Sequence, residues 1–121
     1  MEASLGTIMI YARNMEKSAE FYSKLFNFKT TGKVVDGLIE LTPTCGGAGI
    51  LIHQAAKSIK LGQVGVKLSF HVQDVANFIS IAKQSNIEFG PIHEAKGYQF
   101  SNTKDPDGNS VSISSRSFRD Q

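Results

Sequence analysis

An α+β fold built of two β-α-β-β-β repeats follows from three features of the sequence. Apolar residues alternate over strand-sized runs, two stretches with helical apolar spacing each begin at a capping residue, and the second half of the chain restarts the pattern of the first. Setting Asn14 on Asp74, Asn27 on Asn86 and Gly47 on Gly108 gives a nearly constant offset of about 60 residues. The repeats span about 5–54 and 64–114, joined by a linker at 55–63 and followed by a polar tail from Ser115 to Gln121. At 121 residues, the chain is long enough to bury a core as one domain without disulfides.

In the first repeat, Gly6 to Ala12 alternates Ile8, Ile10 and Ala12 with Thr7, Met9 and Tyr11, which predicts a strand with both faces mostly buried. Asn14 then caps a helix to about residue 26, with Met15, Ser18, Ala19, Tyr22, Leu25 and Phe26 on one side, and Asn27 ends it in a left-handed conformation. Strands are predicted for Phe28 to Val35, Leu38 to Thr42 and Gly49 to Gln54, with turns at Asp36-Gly37 and Pro43 to Gly47.

The second repeat opens with a strand, Val64 to Val72, which turns Val66, Leu68, Phe70 and Val72 one way and Lys67, Ser69 and His71 the other. Asp74 caps a helix carrying Val75, Phe78, Ile79 and Ala82, and Asn86 ends it. Strands at Ile87 to His93, Gly97 to Thr103 and Ser110 to Ser114 complete a total of eight. Asp105-Pro106-Asp107-Gly108-Asn109 makes the last hairpin turn, because Pro fixes φ and Gly supplies a positive φ.

Composition narrows the function. The 13 basic and 11 acidic residues are scattered, without the Lys/Arg stripe that binding a phosphate backbone requires, so nucleic acid is not an expected partner. The apolar runs are too short to span a membrane. One cysteine, Cys45, and no apolar leader near the N-terminus point to a cytoplasmic protein with a reduced thiol. No Ser-His-Asp order, catalytic carboxylate pair or phosphate-cradling loop is visible; Gly46-Gly47-Ala48-Gly49 lacks the helix and the Lys such loops need.

Three words in this order, Ser18-Ala19-Glu20-Phe21-Tyr22, Phe70-His71-Val72-Gln73-Asp74 and Asp105-Pro106-Asp107-Gly108-Asn109, resemble the vicinal oxygen chelate superfamily of glyoxalases, bleomycin resistance proteins and extradiol dioxygenases. The resemblance covers nearly all of 5–114. It implies a curved, cupped, eight-strand mixed sheet around a groove, a homodimer, and, in metal-using members, four ligands on the first and last strands of the two repeats. The matching positions here are Thr7, Leu51, Lys67 and Ser112. Leu offers no lone pair, hydroxyls bind metals weakly without carboxylate company, and an ammonium repels a cation. No metal and no cofactor is therefore expected.

The resemblance leaves a groove lined by Thr7, Met9, Tyr11, Leu51, His53, Lys67, Ser69, His71, Tyr98 and Ser112. Its expected use is binding a neutral or anionic small organic molecule, without identifiable catalytic residues. Lys67 is either a strand-end side chain reaching for water or a fixed cation for an anionic ligand; buried deeply, it would serve as a base or Schiff-base amine. Ser69, Ser110, Ser112 and Ser114 offer hydroxyls to a polar ligand or to water. The alternative is a lyase, isomerase or dioxygenase-like enzyme, with a displaced metal on His53 and His71 near Tyr11 or Glu40, or acid-base chemistry by Lys67, His71 and Tyr11. A third reading leaves the groove vestigial. His93, beside Pro91, is placed on the surface, and Cys45 in a plain turn.

Overall fold

A computed structural model of the chain describes residues 1–120. It forms two compact units, Met1–Leu61 and Gly62–Gln121.

The first unit runs β1 (Thr7–Ala12), α1 (Met15–Phe26), β2 (Leu38–Leu41) and β3 (Gly49–Gln54). Its sheet has the order β1-β3-β2, with β1 parallel and β2 antiparallel to β3. Asn14 accepts from the Lys17 amide as N-cap, and Asn27 ends α1 at φ 58°. The helix buries Met15, Ser18, Ala19 and Tyr22, and the sheet buries Ile10, Ala12, Ile39, Leu41, Ile50 and Ile52, one face of each strand. Asp36 and Gly37, both at positive φ, make a two-residue hairpin turn closed by reciprocal Val35–Leu38 backbone bonds. After β3, the guanidinium of Arg13 donates to the carbonyls of Ala56 and Ile59 at 3.1 and 2.6 Å, strapping the start of the linker to the unit.

The second unit runs β4 (Lys67–His71), α2 (Val75–Gln84), β5 (His93–Ala95), β6 (Tyr98–Lys104) and β7 (Ser110–Ser114). The sheet order is β4-β7-β6-β5, with β4 parallel to β7 and the other pairs antiparallel. Asp74 caps α2 by accepting from the Asn77 amide. The helix closes at Ser85, and the left-handed residue, Asn86 at φ 61°, follows one position later. In the final turn the buried Asp105 carboxylate accepts from the amides of Asp107 and Asn109 and from Asn109 Nδ2, each at 2.9 Å. The backbone at Gly62 lies so close to this turn that a Cβ there would stand 2.7 Å from the Asp107 carbonyl oxygen.

Among the described residues seven strands form, against eight expected. Residues 28–35 stay extended, touching β2 through single bridges at Lys29–Thr42 and Val35–Leu38, because the Thr30 and Thr31 hydroxyls capture the Gly32 and Lys33 amides and Gly32 sits at φ 71°. Residues 87–92 likewise form no ladder. Pro91 has no amide to offer, and the Glu88 and Gly90 carbonyls accept from the Thr103 and Ser101 hydroxyls, so the Gly90 amide bond to the Asn102 carbonyl stands alone and a continuous ladder with β6 starts at His93. Strand β4 begins at Lys67 rather than Val64, since its partner β7 begins at Ser110, opposite Lys67. Within the tail, residues 116–118 make a 3-10 turn, and Ser115 bonds Gln99 through its amide. Gln121 lies outside the described residues.

Candidate functional site

Each sheet has one face under its helix, and every candidate residue lies on the other, which is exposed at Met9, Tyr11, Lys67, Ser69 and His71 and buried at Ser112. In the first unit the register sets Met9 beside Leu51 and Tyr11 beside His53, with Thr7 beside Gly49 and Glu40 on the far side of Leu51. The expectation that both faces of β1 are mostly buried does not hold: Met9 is 43% and Tyr11 47% exposed, because within its own unit the helix covers only the Ile10 and Ala12 side. The Tyr11 and His53 rings stand 5.2 Å apart. His53 Nδ1 lies 2.8 Å from the Gln54 carbonyl, an acceptor, which places a proton on Nδ1 and leaves Nε2 outward.

In the second unit three rows cross the open face. Lys67, Ser110 and Lys104 form one; Ser69, Ser112 and Asn102 the next; His71, Ser114 and Phe100 the third, which continues to His93 on β5. Lys67 is exposed rather than deep, because β4 is an edge strand, and its ammonium crosses β7 to donate to Asn102 Oδ1 at 3.0 Å. From β6, Lys104 leans the opposite way and donates to Ser110 Oγ at 3.0 Å. Phe100 is stacked by His93 at 5.0 Å, and Tyr98 lies 6.4 Å from it with the Arg116 guanidinium 5.9 Å from the Tyr98 ring.

The serine hydroxyls are less available than their number implied. Ser112 is 3% exposed, Ser110 Oγ accepts from Lys104, and Ser114 Oγ accepts from the Arg116 amide. Ser69 remains open.

The donor set of a chelated metal is not met within either unit. Thr7 and Leu51 supply one hydroxyl between them in the first, and Lys67 and Ser112 supply an ammonium and a buried hydroxyl in the second, so these residues do not fit a divalent ion. Among the described residues no three His, Cys, Asp or Glu side chains stand close enough to hold one.

Sequence reasoning named Tyr98 but missed Phe100, Asn102 and Lys104. The signal was present, since these share the period-two face of the same strand. His93 is on the surface as expected, yet as a strand residue in a ring stack. A shallow depression of about 270 Å³ between α1 and residues 30–32, lined by Glu16, Glu20, Ser23, Thr30 and Thr31, had no sequence signal.

Residues 4–113 match the Glyoxalase/Bleomycin resistance protein/Dioxygenase superfamily. No curated protein shows significant sequence similarity to the chain. Among solved structures, UcmS2 aligns with a TM-score of 0.79 at 16% identity, over 95% of this chain and 99% of that one. TnmS3, an antibiotic binding protein from Streptomyces sp. CB03234, aligns at 0.76 and 14% identity, over 93% and 94%. Lactoylglutathione lyase from Agrobacterium tumefaciens aligns at 0.70 and 20% identity, over 93% of each chain. At these identities the likeness establishes a shared α+β fold.

Proposed function

Since the chain belongs to the glyoxalase/bleomycin resistance protein/dioxygenase superfamily, we propose that it is a small-molecule-binding member that works without the chelated metal. The reading rests on Thr7, Leu51, Lys67 and Ser112, the residues that the resemblance matches to the ligand positions of metal-using members and that offer no set of metal donors. A fold that retains its open sheet faces but lacks metal donors has binding as its simplest use. TnmS3, described as an antibiotic binding protein, gives a precedent for that use on the same architecture.

The ligand is a neutral or anionic organic molecule, because Lys67 and Lys104 repel a cation such as bleomycin. On the second unit's face Tyr98 and Phe100 offer apolar contact and Ser69 and His71 polar contact; the first unit's face separately presents the Tyr11 and His53 rings. The reading includes a cytoplasmic homodimer, the latter checked by sedimentation equilibrium.

Two measurements test it. Incubation with Ni, Zn, Mn and Fe salts followed by desalting is expected to leave near-zero metal by elemental analysis; a stoichiometric ion would move the enzyme alternative, with His53 and His71 as ligands, to the front. A thermal-shift screen of neutral, anionic and cationic compounds is expected to find stabilisers among the first two, since a ligand at a hundred times its Kd adds about 2.7 kcal/mol. A complete absence of stabilisers would sink the reading.

A further inference from the structure

We propose that the open face of the second sheet selects a small aromatic carboxylate, its acid group held by Lys67 and Lys104 and its ring packed along Phe100 and Tyr98. This rests on the small-molecule reading above and specifies the ligand's chemistry.

The argument starts from charge. Lys67 and Lys104 flank Ser110 in one row across three strands, their Cα atoms about 10 Å apart by strand spacing. The Lys67 ammonium reaches Asn102 Oδ1 on β6, and the Lys104 ammonium reaches Ser110 Oγ on β7. Both acceptors are neutral. Among the described residues neither Lys67 nor Lys104 forms an ion pair with a carboxylate. Two cations on one face, held only by an amide and a hydroxyl, have no charge to match them, and an anion seated on that face gains charge-assisted hydrogen bonds from them.

A ring lies beside the Lys67 ammonium. Lys67 Nζ stands 6.0 Å from the centre of the Phe100 ring, which His93 and Tyr98 extend into a half-exposed aromatic row. A ligand whose acid group meets the lysines therefore has its hydrocarbon part over this row. A flat ring suits it, because it buries apolar area while losing few internal rotations. An inorganic anion uses only half of the arrangement, and a neutral ring only the other half.

The experiment is an amide-resolved NMR titration of the full chain with 2-naphthoate, its neutral isostere 2-naphthamide, and inorganic phosphate. Expected are shifts at Phe100, Asn102 and Ser110 with 2-naphthoate, and affinity at least about tenfold above that for either other probe. Lys67→Met and Lys104→Met, both at exposed positions, are each expected to weaken 2-naphthoate about fivefold and leave 2-naphthamide unchanged, with the rest of the spectrum preserved. Phe100→Leu is expected to weaken both organic probes.

Equal affinity for 2-naphthoate and 2-naphthamide, phosphate binding as tight as 2-naphthoate, shifts confined to other residues, or no binding overturns the inference. So does dilution-dependent loss of these resonances without 2-naphthoate binding, which would assign the face to a second copy of the chain. If the thermal-shift screen yields only neutral ligands, this inference fails while the small-molecule reading stands; if it yields none, both fail.

Discussion

Lys67 donates to Asn102 across an intervening strand, Nζ to Oδ1 at 3.0 Å. The bond joins β4 to β6 over the open face, but both groups are accessible to water, so it orients the lysine more than it holds the sheet together. Lys67→Met is expected to change stability by less than about 0.5 kcal/mol. Urea unfolding checks this, and a loss of several kcal/mol would mean that the lysine supports the fold.

The opposite holds for Asp105. Its carboxylate is 5% exposed and accepts three hydrogen bonds inside the last hairpin turn. Asp105→Ala leaves those donors without their acceptor and is expected to cost about 2–3 kcal/mol, with Asp105→Asn costing less. Denaturant midpoints decide; an Ala variant as stable as the parent would contradict the role given to the carboxylate.

The two helix caps supply a matched pair. Asn14 and Asp74 each accept from the amide three residues on. Alanine at either position is expected to lower stability by about 1 kcal/mol. A calorimetric difference near zero at both sites would show that tertiary packing alone sets the helix starts.

Ile52 lies at 0% exposure on β3, the central strand of the first sheet. Ile52→Ala is expected to cost about 2–5 kcal/mol, a value that includes the cavity left behind. Chemical denaturation measures it, and a cost under 1 kcal/mol would mean that the core collapses onto the gap.

Gly62 and Gly46 separate steric clash from backbone strain. Both have positive φ, but only at Gly62 would a Cβ strike backbone, while Gly46 faces open space. Alanine is expected to be worse at Gly62 than at Gly46, where it costs roughly 1 kcal/mol from φ alone. Equal melting points for the two variants would refute the contact with the Asp107 carbonyl.

Where local chemistry decided the outcome, the sequence was legible. Asn14 and Asp74 name their helix starts because a side-chain acceptor beside free amides has one good use, and Asp36-Gly37 names its turn because both residues tolerate positive φ. The alternation Thr7-Met9-Tyr11 and Lys67-Ser69-His71 was read correctly as a face, and wrongly, for β1, as a covered one. Burial depends on what lies across the sheet, which strand period does not encode. The missing strands at 28–35 and 87–92 were lost to side-chain hydroxyls competing for the backbone, from Thr30 and Thr31 in one and from Ser101 and Thr103 in the other. Asn102 and Lys104 escaped notice because their importance comes from partners on other strands, Lys67 on β4, two strands away, for one and Ser110 on the neighbouring β7 for the other.

The strap from Arg13 to Ala56 and Ile59 also determines where the polypeptide is open to cutting. A protease must draw several residues into an extended form, which the bound carbonyls resist up to residue 59, and the close packing of Gly62 resists from the other side. The slack between them is Lys60 and Leu61, so brief trypsin treatment should sever the chain after Lys60 before it severs after Lys57. Mass spectrometry of the first fragments reads the order, and the reverse order would mean that the strap opens readily in solution.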